Sequence, residues 1–204
     1  MGWSYFKVRT KAGRKNMTSF YNREELSQIG FKSVGDNVQV SRFASFYGVS
    51  RISIGNNVRI DDFCVLSTGT GGIQIGDFVH IAVFALLIGE GRITLEDFSC
   101  ISSKAAVYSS NGDYSGEFLS NPTVPAKYTG VIHADVTLGR HALVCSGSLI
   151  LPGVTIKEGA VVGALSLVNK DCEEYYIYKG NPAKKIVKRS REFLKLEKEF
   201  LNTL

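Results

Sequence analysis

A six-residue period in the second half of the sequence restricts the possible folds more than any other feature. From Leu138 to Asn169 an aliphatic residue stands at every sixth position, at Leu138, Val144, Ile150, Ile156, Val162 and Val168. A small or branched residue follows four positions after each of the first five, at Ala142, Ser148, Val154, Ala160 and Ser166. Helices repeat every 3.6 residues and strands every two, so neither alone keeps this spacing. The short fixed repeat predicts a β-helix whose hexapeptides form the flat sides of a triangular coil.

The first half of the chain carries the same ladder with interruptions. Because side chains alternate along a strand, the aliphatic residue and the one two places before it should point into the coil. The excess residues in STGTGG (67–72) and those before Leu95 are expected to be bulges at the coil corners. Over both halves together, the ladder predicts six or seven coils. The inward positions of the first half are Val34, Val40, Phe46, Ile52, Ile54, Ile60, Leu66, Ile75, Ile81, Leu87, Leu95, Ile101 and Val107.

A polar excursion interrupts the ladder in the middle of the chain. Residues 109–130 break the six-residue count before it resumes near Val136. Long loops in an otherwise compact fold are usually functional. We therefore expect this protruding loop to carry residues that contact a substrate.

Each end of the ladder is predicted to carry a helix. Asn22 and Glu25 form a capping-box pattern, and Gly30 provides a stop for a short N-terminal helix. Residues 190–204 have the apolar spacing of an amphipathic C-terminal helix, with Ser190 as the predicted cap. Between them, residues 17–189 should form one β-helical domain.

The net charge of +5 comes from the N-terminus alone. The chain has 24 Lys and Arg against 19 Asp and Glu, and residues 1–16 contain no acid, so residues 17–204 sum to zero. A body without net positive charge disfavours nucleic acid as a partner. We expect residues 1–16 to be a disordered tail, with Met17 as the usual start, although a polybasic surface contact stays open. Its cations are Lys7, Arg9, Lys11, Arg14 and Lys15.

Membrane and metal sites are not predicted. No apolar run approaches the 18 residues of a membrane span, and the N-terminus lacks a signal-peptide core. The four cysteines show neither metal-site nor disulfide spacing, which is typical of reduced cysteines in a cytoplasmic protein. They are Cys64, Cys100, Cys145 and Cys172.

The ladder, the excursion and the motif GNPAKKI (180–186) together resemble the hexapeptide-repeat acyltransferases. The resemblance spans about residues 20–195 and is nearest to the acetyltransferases of bacterial O-antigen and capsule gene clusters, with galactoside acetyltransferase more distant. It implies a left-handed parallel β-helix, which is an exception to right-handed crossovers. It also implies a homotrimer with active sites between subunits, and acetyl-CoA as the acyl donor without a metal.

The resemblance further assigns the donor side of the site. Ser146 would offer its backbone N–H to the thioester carbonyl, and Ala164 would hydrogen-bond the pantetheine arm. Further along the arm and around the adenine and phosphates, the implied residues are Asn169, Lys170, Gly180, Asn181, Pro182, Lys184, Lys185 and Arg189. Taken without the ladder, these cations would instead be a solvated face before a helix.

The base that this family uses is missing from its usual place. Galactoside-type relatives carry a histidine in the excursion, where this chain reads VYSSNGDYSGE (107–117). His80, predicted to stack between Arg59 and Cys100, is the first candidate base, and a plain hydrogen-bonding role is equally open. The other candidates, in order, are Asp113, His141 and His133.

The missing histidine favours an amine acceptor. A sugar hydroxyl needs a base to attack a thioester, whereas a neutral amine is already a nucleophile. A hydroxyl acceptor stays open as well, because His80 could serve as its base. The expected acceptor contacts are Asp61, Asp62, His80, Asn111, Asp113, Tyr114 and Glu117, with a simple corner turn as the competing interpretation of Asp61 and Asp62.

The sequence therefore favours an acetyl-CoA-dependent acetyltransferase that modifies the amino group of a nucleotide-linked sugar for O-antigen or capsule. A sugar O-acetyltransferase with His80 as base is one alternative. A non-catalytic β-helix scaffold that lost the base is another. A metalloenzyme of the γ-carbonic-anhydrase type shares the fold but needs several placed histidines, and this chain has three scattered ones.

Overall fold

The hexads fold into a parallel β-helix with three flat faces. The computed structural model describes residues 19–204, so the expected tail at residues 1–16 lies outside the described residues. Three sheets of six, eight and six strands form the faces, and about seven coils stack along the axis. The fold class predicted from the six-residue period is thus confirmed.

The strands are short, two to six residues each. The first face contains Ser33–Val34, Ile52–Ile54, Ile73–Ile75, Ile93–Leu95, Val136–Leu138 and Thr155–Ile156. The second contains Gln39–Val40, Arg59–Ile60, His80–Ile81, Cys100–Ile101, Leu143–Val144, Val161–Val162, Tyr176–Gly180 and Ala183–Lys188. The third contains Ser45–Tyr47, Val65–Thr68, Leu86–Gly89, Ala106–Tyr108, Leu149–Ile150 and Leu167–Val168. Single 3₁₀ turns lie at Val49–Arg51 and Ala126–Tyr128.

The interior is the predicted aliphatic ladder. Ile101 and Val144 are fully buried and lie in register on adjacent coils. Ala142, two positions before Val144, is also fully buried, as the alternation of side chains requires. Burying an aliphatic side chain contributes about 1.5–3 kcal/mol. Because each coil contacts mainly its neighbours, this ladder holds the stack together along its whole length.

Three corners separate the faces. We call them the first corner (first face to second), the second corner (second to third) and the third corner (third to the first face of the next coil). At the second corner one residue per coil has a φ between 58° and 69°, namely Phe63, Phe84, Lys104, Gly147 and Leu165. Bulky side chains rarely adopt this left-handed conformation. Phe63 and Phe84 thus present aromatic side chains at this corner at a backbone cost.

The N-terminal helix covers Arg23–Ile29, as predicted. The Asn22 side chain accepts from the Glu25 N–H at 2.9 Å, and the Glu25 carboxylate accepts from the Asn22 N–H at 2.8 Å. Gly30 ends the helix in the left-handed conformation, where glycine carries no steric cost. Leu26 is buried and covers the first coil.

The C-terminal helix begins later than predicted, and the assignment of Ser190 as its cap is wrong. The helix spans Phe193–Leu201, and Glu192 occupies the cap position. The Ser190 hydroxyl accepts instead from the Glu192 N–H at 3.2 Å, before the first turn. The first helical residue is Phe193, whose ring meets that of His141 at 4.9 Å and places the helix against the first corner.

An ion-pair cluster fixes this helix to the coils. Glu197 accepts hydrogen bonds from Arg140 and, at 2.8 Å, from His141. The Phe200 ring meets the rings of Phe78 and Phe98 edge to face, at 5.3 Å and 6.4 Å. Across residues 19–204, no helix is long and apolar enough to cross a membrane.

Replacing Glu197 with glutamine should loosen the C-terminal helix by about 1.5–3 kcal/mol, because hydrogen bonds to charged groups are worth about that much and the two cations lose their carboxylate. Hydrogen exchange of the amides in Phe193–Leu201 measures the change. Glu199→Gln, an exposed change on the same helix, should leave the exchange rates as they are. Equal effects of the two substitutions would contradict the proposal that the ion-pair cluster around Glu197 holds the helix on the coils.

The stability that the same ion-pair cluster gives to the helix should decrease in acid. Burial opposes ionisation of Glu197, but the hydrogen bonds from Arg140 and His141 together outweigh it and lower the pKa of its carboxyl. A lowered pKa stabilises the folded state above the ordinary carboxyl range, and that contribution is lost as the pH falls through the lowered value. The protection factors of the helix amides, which correct for the pH dependence of the intrinsic exchange rate, should therefore fall in acid, and fall less in Glu197→Gln.

Candidate active site

A column of residues at the second corner brings Ser103, Ser146 and Ala164 onto three successive coils. Gly147 N–H donates to the Ser103 carbonyl at 3.1 Å, and Leu165 N–H donates to the Ser146 carbonyl at 3.0 Å. These bonds stack each coil on the one below. Neighbouring strands lie about 4.8 Å apart, so the three residues present a short vertical row.

The row contains unused backbone donors. Within residues 19–204, the N–H groups of Ser103, Ser146 and Ala164 make no hydrogen bond, and Ser146 and Ala164 are exposed. Paired N–H donors of this kind can bind a carbonyl oxygen and the negative charge that develops on it. The structure thus leaves free the two groups that the resemblance assigned to the acyl donor.

Ser103 was not singled out in the sequence. Its side chain is half-buried and makes no hydrogen bond to any residue of the described chain. The only sequence signal was its register, which places it one coil before Ser146. Every coil has a residue at this place, so the six-residue count alone could not distinguish it.

His80 lies on the second face and is held by an acid. It pairs in register with Arg59 on the coil before and Cys100 on the coil after, as the six-residue count predicted. His80 Nε2 lies 2.8 Å from an oxygen of Asp61, and the other oxygen of Asp61 accepts from Arg59 at 2.6 Å. The histidine side chain is 43% exposed. The second ring nitrogen makes no hydrogen bond to a described residue, so this pair could still accept a proton.

A shallow hollow adjoins this pair at the second corner. It has a volume of about 410 Å³ and is lined by Phe20, Arg59, Asp61, Asp62 and Val83, among others. Asp62 accepts a hydrogen bond of 2.5 Å from the Ser41 hydroxyl. Asp61 and Asp62 therefore form part of a corner turn and also face open space, so both interpretations of these acids stay compatible with the structure.

The excursion projects from the third corner on a short antiparallel stem. Ser110–Asn111 pairs with Ile132–His133, and the Ser110 hydroxyl bonds His133 Nδ1 at 2.7 Å. The hydrogen bonds made within residues 112–131 run to other residues of the loop or its stem rather than to the coils. The loop thus stands away from the coils of its own chain.

The loop encloses most of the predicted acceptor contacts. Asp113 accepts from both the N–H and the hydroxyl of Ser115, at 3.0 Å and 2.6 Å, through one oxygen. Tyr114 donates to Asn111 at 2.9 Å, and Glu117 N–H donates to Ser115. A cavity of about 300 Å³ lies between Asn111, Tyr114 and Leu119. The other oxygen of Asp113 makes no hydrogen bond to the described chain and is available to a ligand.

One chain does not bring all the predicted site residues together. His80, Asp61 and Asp62 lie on the second face and second corner, whereas the loop leaves the third corner. The third face separates the loop from Ser103 and Ser146. A single site containing both sets requires two copies of the chain.

The remaining histidines have structural partners. His141 is stacked on Phe98 at 5.0 Å and bonded to Glu197, and only 10% of its side chain is exposed. His133 is bonded within the stem of the loop. Neither geometry favours a role as catalytic base.

The donor-side residues from Gly180 to Lys185 lie on an antiparallel hairpin, whereas Asn169 and Lys170 lie between the last coil strand and this hairpin. Tyr176–Gly180 and Ala183–Lys188 pair, and Asn181 and Pro182 form the turn between them. Asn169, Lys170 and Lys184 are exposed. Lys185 bonds Glu173, which raises the pKa of its ammonium, and its Nζ lies 4.3 Å from the centre of the Tyr176 ring.

Arg189 differs from the other cations of this group. Its guanidinium donates to the carbonyls of His141 and Gly159, at 2.9 Å and 3.0 Å, and burial lowers its pKa. These bonds tie the end of the hairpin to the coils. Of the predicted phosphate contacts, Lys184 and Lys185 are thus the more accessible.

Comparison with known proteins identifies close relatives along nearly the whole chain. No known family profile matches. The chain is 50% identical over 182 residues to the dTDP-4-amino-4,6-dideoxy-D-glucose acyltransferase of Escherichia coli, covering 89% of this chain and 95% of that protein. A structure of the N-acyltransferase AntD from Bacillus cereus, a serine-to-alanine variant with dTDP-4-amino-4,6-dideoxyglucose and coenzyme A, is 46% identical. It covers 92% of this chain and 100% of AntD with a TM-score of 0.88.

A more distant structure matches the fold alone. The maltose O-acetyltransferase of Clostridium difficile is 20% identical and aligns with a TM-score of 0.56 over 83% of this chain. The chain belongs to the hexapeptide-repeat acyltransferases, a family of acyl-CoA-dependent enzymes with a left-handed parallel β-helix. Within that family, its near-full-length likeness is to acyltransferases of nucleotide-linked amino sugars.

Proposed function

We propose that this enzyme transfers the acetyl group of acetyl-CoA to the amino group of dTDP-4-amino-4,6-dideoxyglucose. The likeness to the E. coli acyltransferase, at 50% identity over 95% of that protein, carries this proposal. The acylated sugar would then supply surface polysaccharide synthesis in the cytoplasm. The excursion without a histidine supports an amine as the nucleophile.

The second-corner row suits this reaction without a dedicated base. The neutral amine attacks the thioester carbonyl, and the N–H group of Ser146 can stabilise the oxygen of the tetrahedral intermediate, while the N–H of Ala164 holds the pantetheine arm. The C–S bond then breaks, the nitrogen loses a proton, and the thiolate of coenzyme A can take it. Catalysis comes mainly from positioning the two substrates and from the fixed donors.

A serine–aspartate spacing supports roles for Ser103 and Asp113. The AntD structures include variants of a serine and of an aspartate ten positions later in the AntD sequence, solved with dTDP or its amino sugar and coenzyme A. In this chain only two serine–aspartate pairs have that spacing, Ser67 with Asp77 and Ser103 with Asp113. Asp77 is hydrogen-bonded to Asn56, whereas Ser103 lies below Ser146 and Asp113 has a free oxygen. We assign Ser103 and Asp113 to the acceptor amine.

The trimer expected for this family would unite the two halves of the site. Two exposed apolar surfaces support it. The rings of Phe43, Phe63 and Phe84 follow one another along the second corner, with centroids 5.7 Å and 5.0 Å apart, and the loop exposes Tyr114, Phe118 and Leu119. Packing the loop of one copy against the second corner of the next is a head-to-tail contact, which closes into a ring of three when each copy is rotated by a third of a turn.

Coenzyme A would run upward from this cleft. The acetyl group would lie at Ser146, and the arm would pass Ala164 towards Asn169 and Lys170. The phosphates would meet Lys184 and Lys185, and Gly180, Asn181 and Pro182 would turn beside the adenine. The order of these residues along successive coils and the hairpin supports the path.

A matched pair of acceptors tests the proposed reaction. Thiol release from acetyl-CoA is followed with dTDP-4-amino-4,6-dideoxyglucose and with its counterpart that carries a hydroxyl at position 4. We expect release with the amine, at least about a hundredfold faster than with the hydroxyl, because the site supplies no general base. Equal rates would support sugar O-acetylation, for which the His80–Asp61 pair is the observation in favour.

The role of His80 is tested separately. On the amine acceptor, His80→Ala should lower kcat less than about tenfold, whereas loss of a true general base costs about 100- to 10,000-fold. The pH–rate profile should also keep its shape, because no histidine titration controls the reaction. A loss of a hundredfold or more, with the acidic limb of the profile removed, would assign the base to His80.

A further inference from the structure

Three cations converge on a groove between the first face and the third corner. The groove has a volume of about 230 Å³, and Lys32, Arg51 and Arg92 line it together with Ser53, Gly71 and Gly72. Among the described residues, no acidic side chain lines it. The three positive charges repel one another, so an anion bound in the groove would stabilise the arrangement.

The register of the coils makes room between the two arginines. Ile73 pairs with both Ile52 and Ile93, so Gly72 lies between Arg51 and Arg92 in the stack. Gly72 has a φ of 80° and no side chain, which leaves a gap between the two guanidinium groups. Two coil spacings of about 4.8 Å separate the arginine backbones, a span that a phosphate group can bridge.

Neutral backbone groups hold the arginine side chains without cancelling their charge. Arg51 donates to the carbonyls of Gly69 and Thr68, at 2.6 Å and 3.1 Å, and Arg92 donates weakly to Gly71 at 3.4 Å. The Lys32 ammonium makes no hydrogen bond within residues 19–204. Glu90, at the same corner, accepts from Thr70 N–H at 2.8 Å; its carboxylate interacts electrostatically with Arg51 but does not line the groove. The groove therefore offers fixed donors with net positive charge.

The groove lies at the foot of the excursion. Arg92 N–H donates to the Asp135 carboxylate at 2.8 Å, where the chain returns from the loop. The Ser109 hydroxyl, where the loop departs, donates to the Gly91 carbonyl at 2.7 Å. The donor path of coenzyme A is assigned to the later coils and the hairpin, several coils away. An anion here would thus belong to the acceptor.

We propose that this groove binds the pyrophosphate of the nucleotide-linked acceptor, an inference that rests on the proposed function. The groove holds phosphate groups but is too small for a whole nucleotide sugar, so the sugar and base extend beyond it. Arginine pairs phosphate oxygens through two parallel N–H bonds, and the lysine adds a point charge. Lys32, Arg51 and Arg92 are then specificity residues that set the affinity for the acceptor and leave the chemical step alone.

Binding of dTDP tests the groove independently of acyl transfer. The Kd of dTDP, of thymidine and of coenzyme A is measured by calorimetry for the native enzyme and for Lys32→Gln, Arg92→Gln and Lys157→Gln. We expect Lys32→Gln and Arg92→Gln each to raise the Kd of dTDP about tenfold, as for the loss of one charge-assisted hydrogen bond, and to leave the Kd of thymidine and of coenzyme A unchanged. Lys157→Gln removes an exposed cation at the first corner and should change none of them.

The outcomes separate this inference from the proposed reaction. If the groove variants bind dTDP more weakly but the native enzyme transfers no acetyl group to the amino sugar, the groove assignment stands and the proposed reaction is overturned. Transfer with an unchanged Kd of dTDP in both groove variants would overturn the groove and leave the reaction. The assignment of the groove is also overturned if the native enzyme fails to bind dTDP, or if the groove variants have a raised Kd for coenzyme A and an unchanged Kd for dTDP. In steady-state kinetics, the supporting result is a raised KM for the nucleotide sugar with kcat preserved.

Discussion

Asparagine in place of Asp113 is expected to lower kcat/KM for the nucleotide amino sugar about 10- to 100-fold, the equivalent of one hydrogen bond to a charged group. Ser115 holds one carboxylate oxygen of Asp113, and the other is free for the acceptor amine. Asparagine keeps the size of the side chain and removes its charge. The KM for acetyl-CoA should stay the same, because the donor residues are elsewhere. Steady-state kinetics with each substrate varied in turn measures both quantities.

Asp36→Asn is the matched control for this experiment. Asp36 is an exposed carboxylate at the first corner, paired with Arg23 at 2.9 Å and remote from the loop. Its substitution should change neither constant. Loss of activity in both variants would indicate a general effect of charge, and full activity of Asp113→Asn would remove Asp113 from the acceptor site.

Alanine in place of Ile101 is expected to lower the free energy of unfolding by about 2–5 kcal/mol, the range for emptying a packed aliphatic site. Ile101 is fully buried in the middle of the stack and lies in register with Ile81 below and Val144 above. Rigid coils on both sides prevent the cavity from collapsing. Urea unfolding followed by circular dichroism gives the free energy.

Ile186→Ala makes the same chemical change at an exposed site. Ile186 lies on the terminal hairpin with 61% of its surface exposed. Surface substitutions usually change stability by less than about 0.5 kcal/mol. Similar losses in the two variants would mean that inward and outward positions of the coil are not energetically distinct.

Most of the fold could be predicted because the β-helix is a local code. The pattern within each hexad shows which side chain faces inward, and the same pattern recurs in the next coil. Ile81, Ile101 and Val144 could therefore be placed without knowledge of the rest of the chain. The same count placed His80 between Arg59 and Cys100. The N-terminal helix was also readable, since its capping box involves residues three positions apart.

Features that depend on contacts across the chain could not be read in this way. The pairing of Tyr176–Gly180 with Ala183–Lys188 begins where the hexads stop, so no period announces it. The C-terminal helix starts at Phe193 rather than beside Ser190, and its position is fixed by Glu197, Arg140 and His141 from distant coils. A local cap pattern holds no information about that cluster.

The candidate site was only partly readable for the same reason. The resemblance pointed to Ser146 and Ala164, and the structure adds that their N–H groups are unused within the described residues. Ser103 became visible only through its place below Ser146. The cations at Lys32, Arg51 and Arg92 are 19 and 41 positions apart in the sequence, and they meet because the coils stack.

The central claim is that each acceptor site is built from two chains, with Asp113 supplied by one copy and Ser103 by the next. Mixing subunits tests it most directly. Ser103→Arg and Asp113→Ala should each be inactive alone, and the two variants are unfolded together and refolded as mixed trimers. One intact site forms wherever a native loop meets a native second corner, so about a quarter of the native activity should return. A mixture no more active than its parents would place both residues in a site within one chain and contradict the claim.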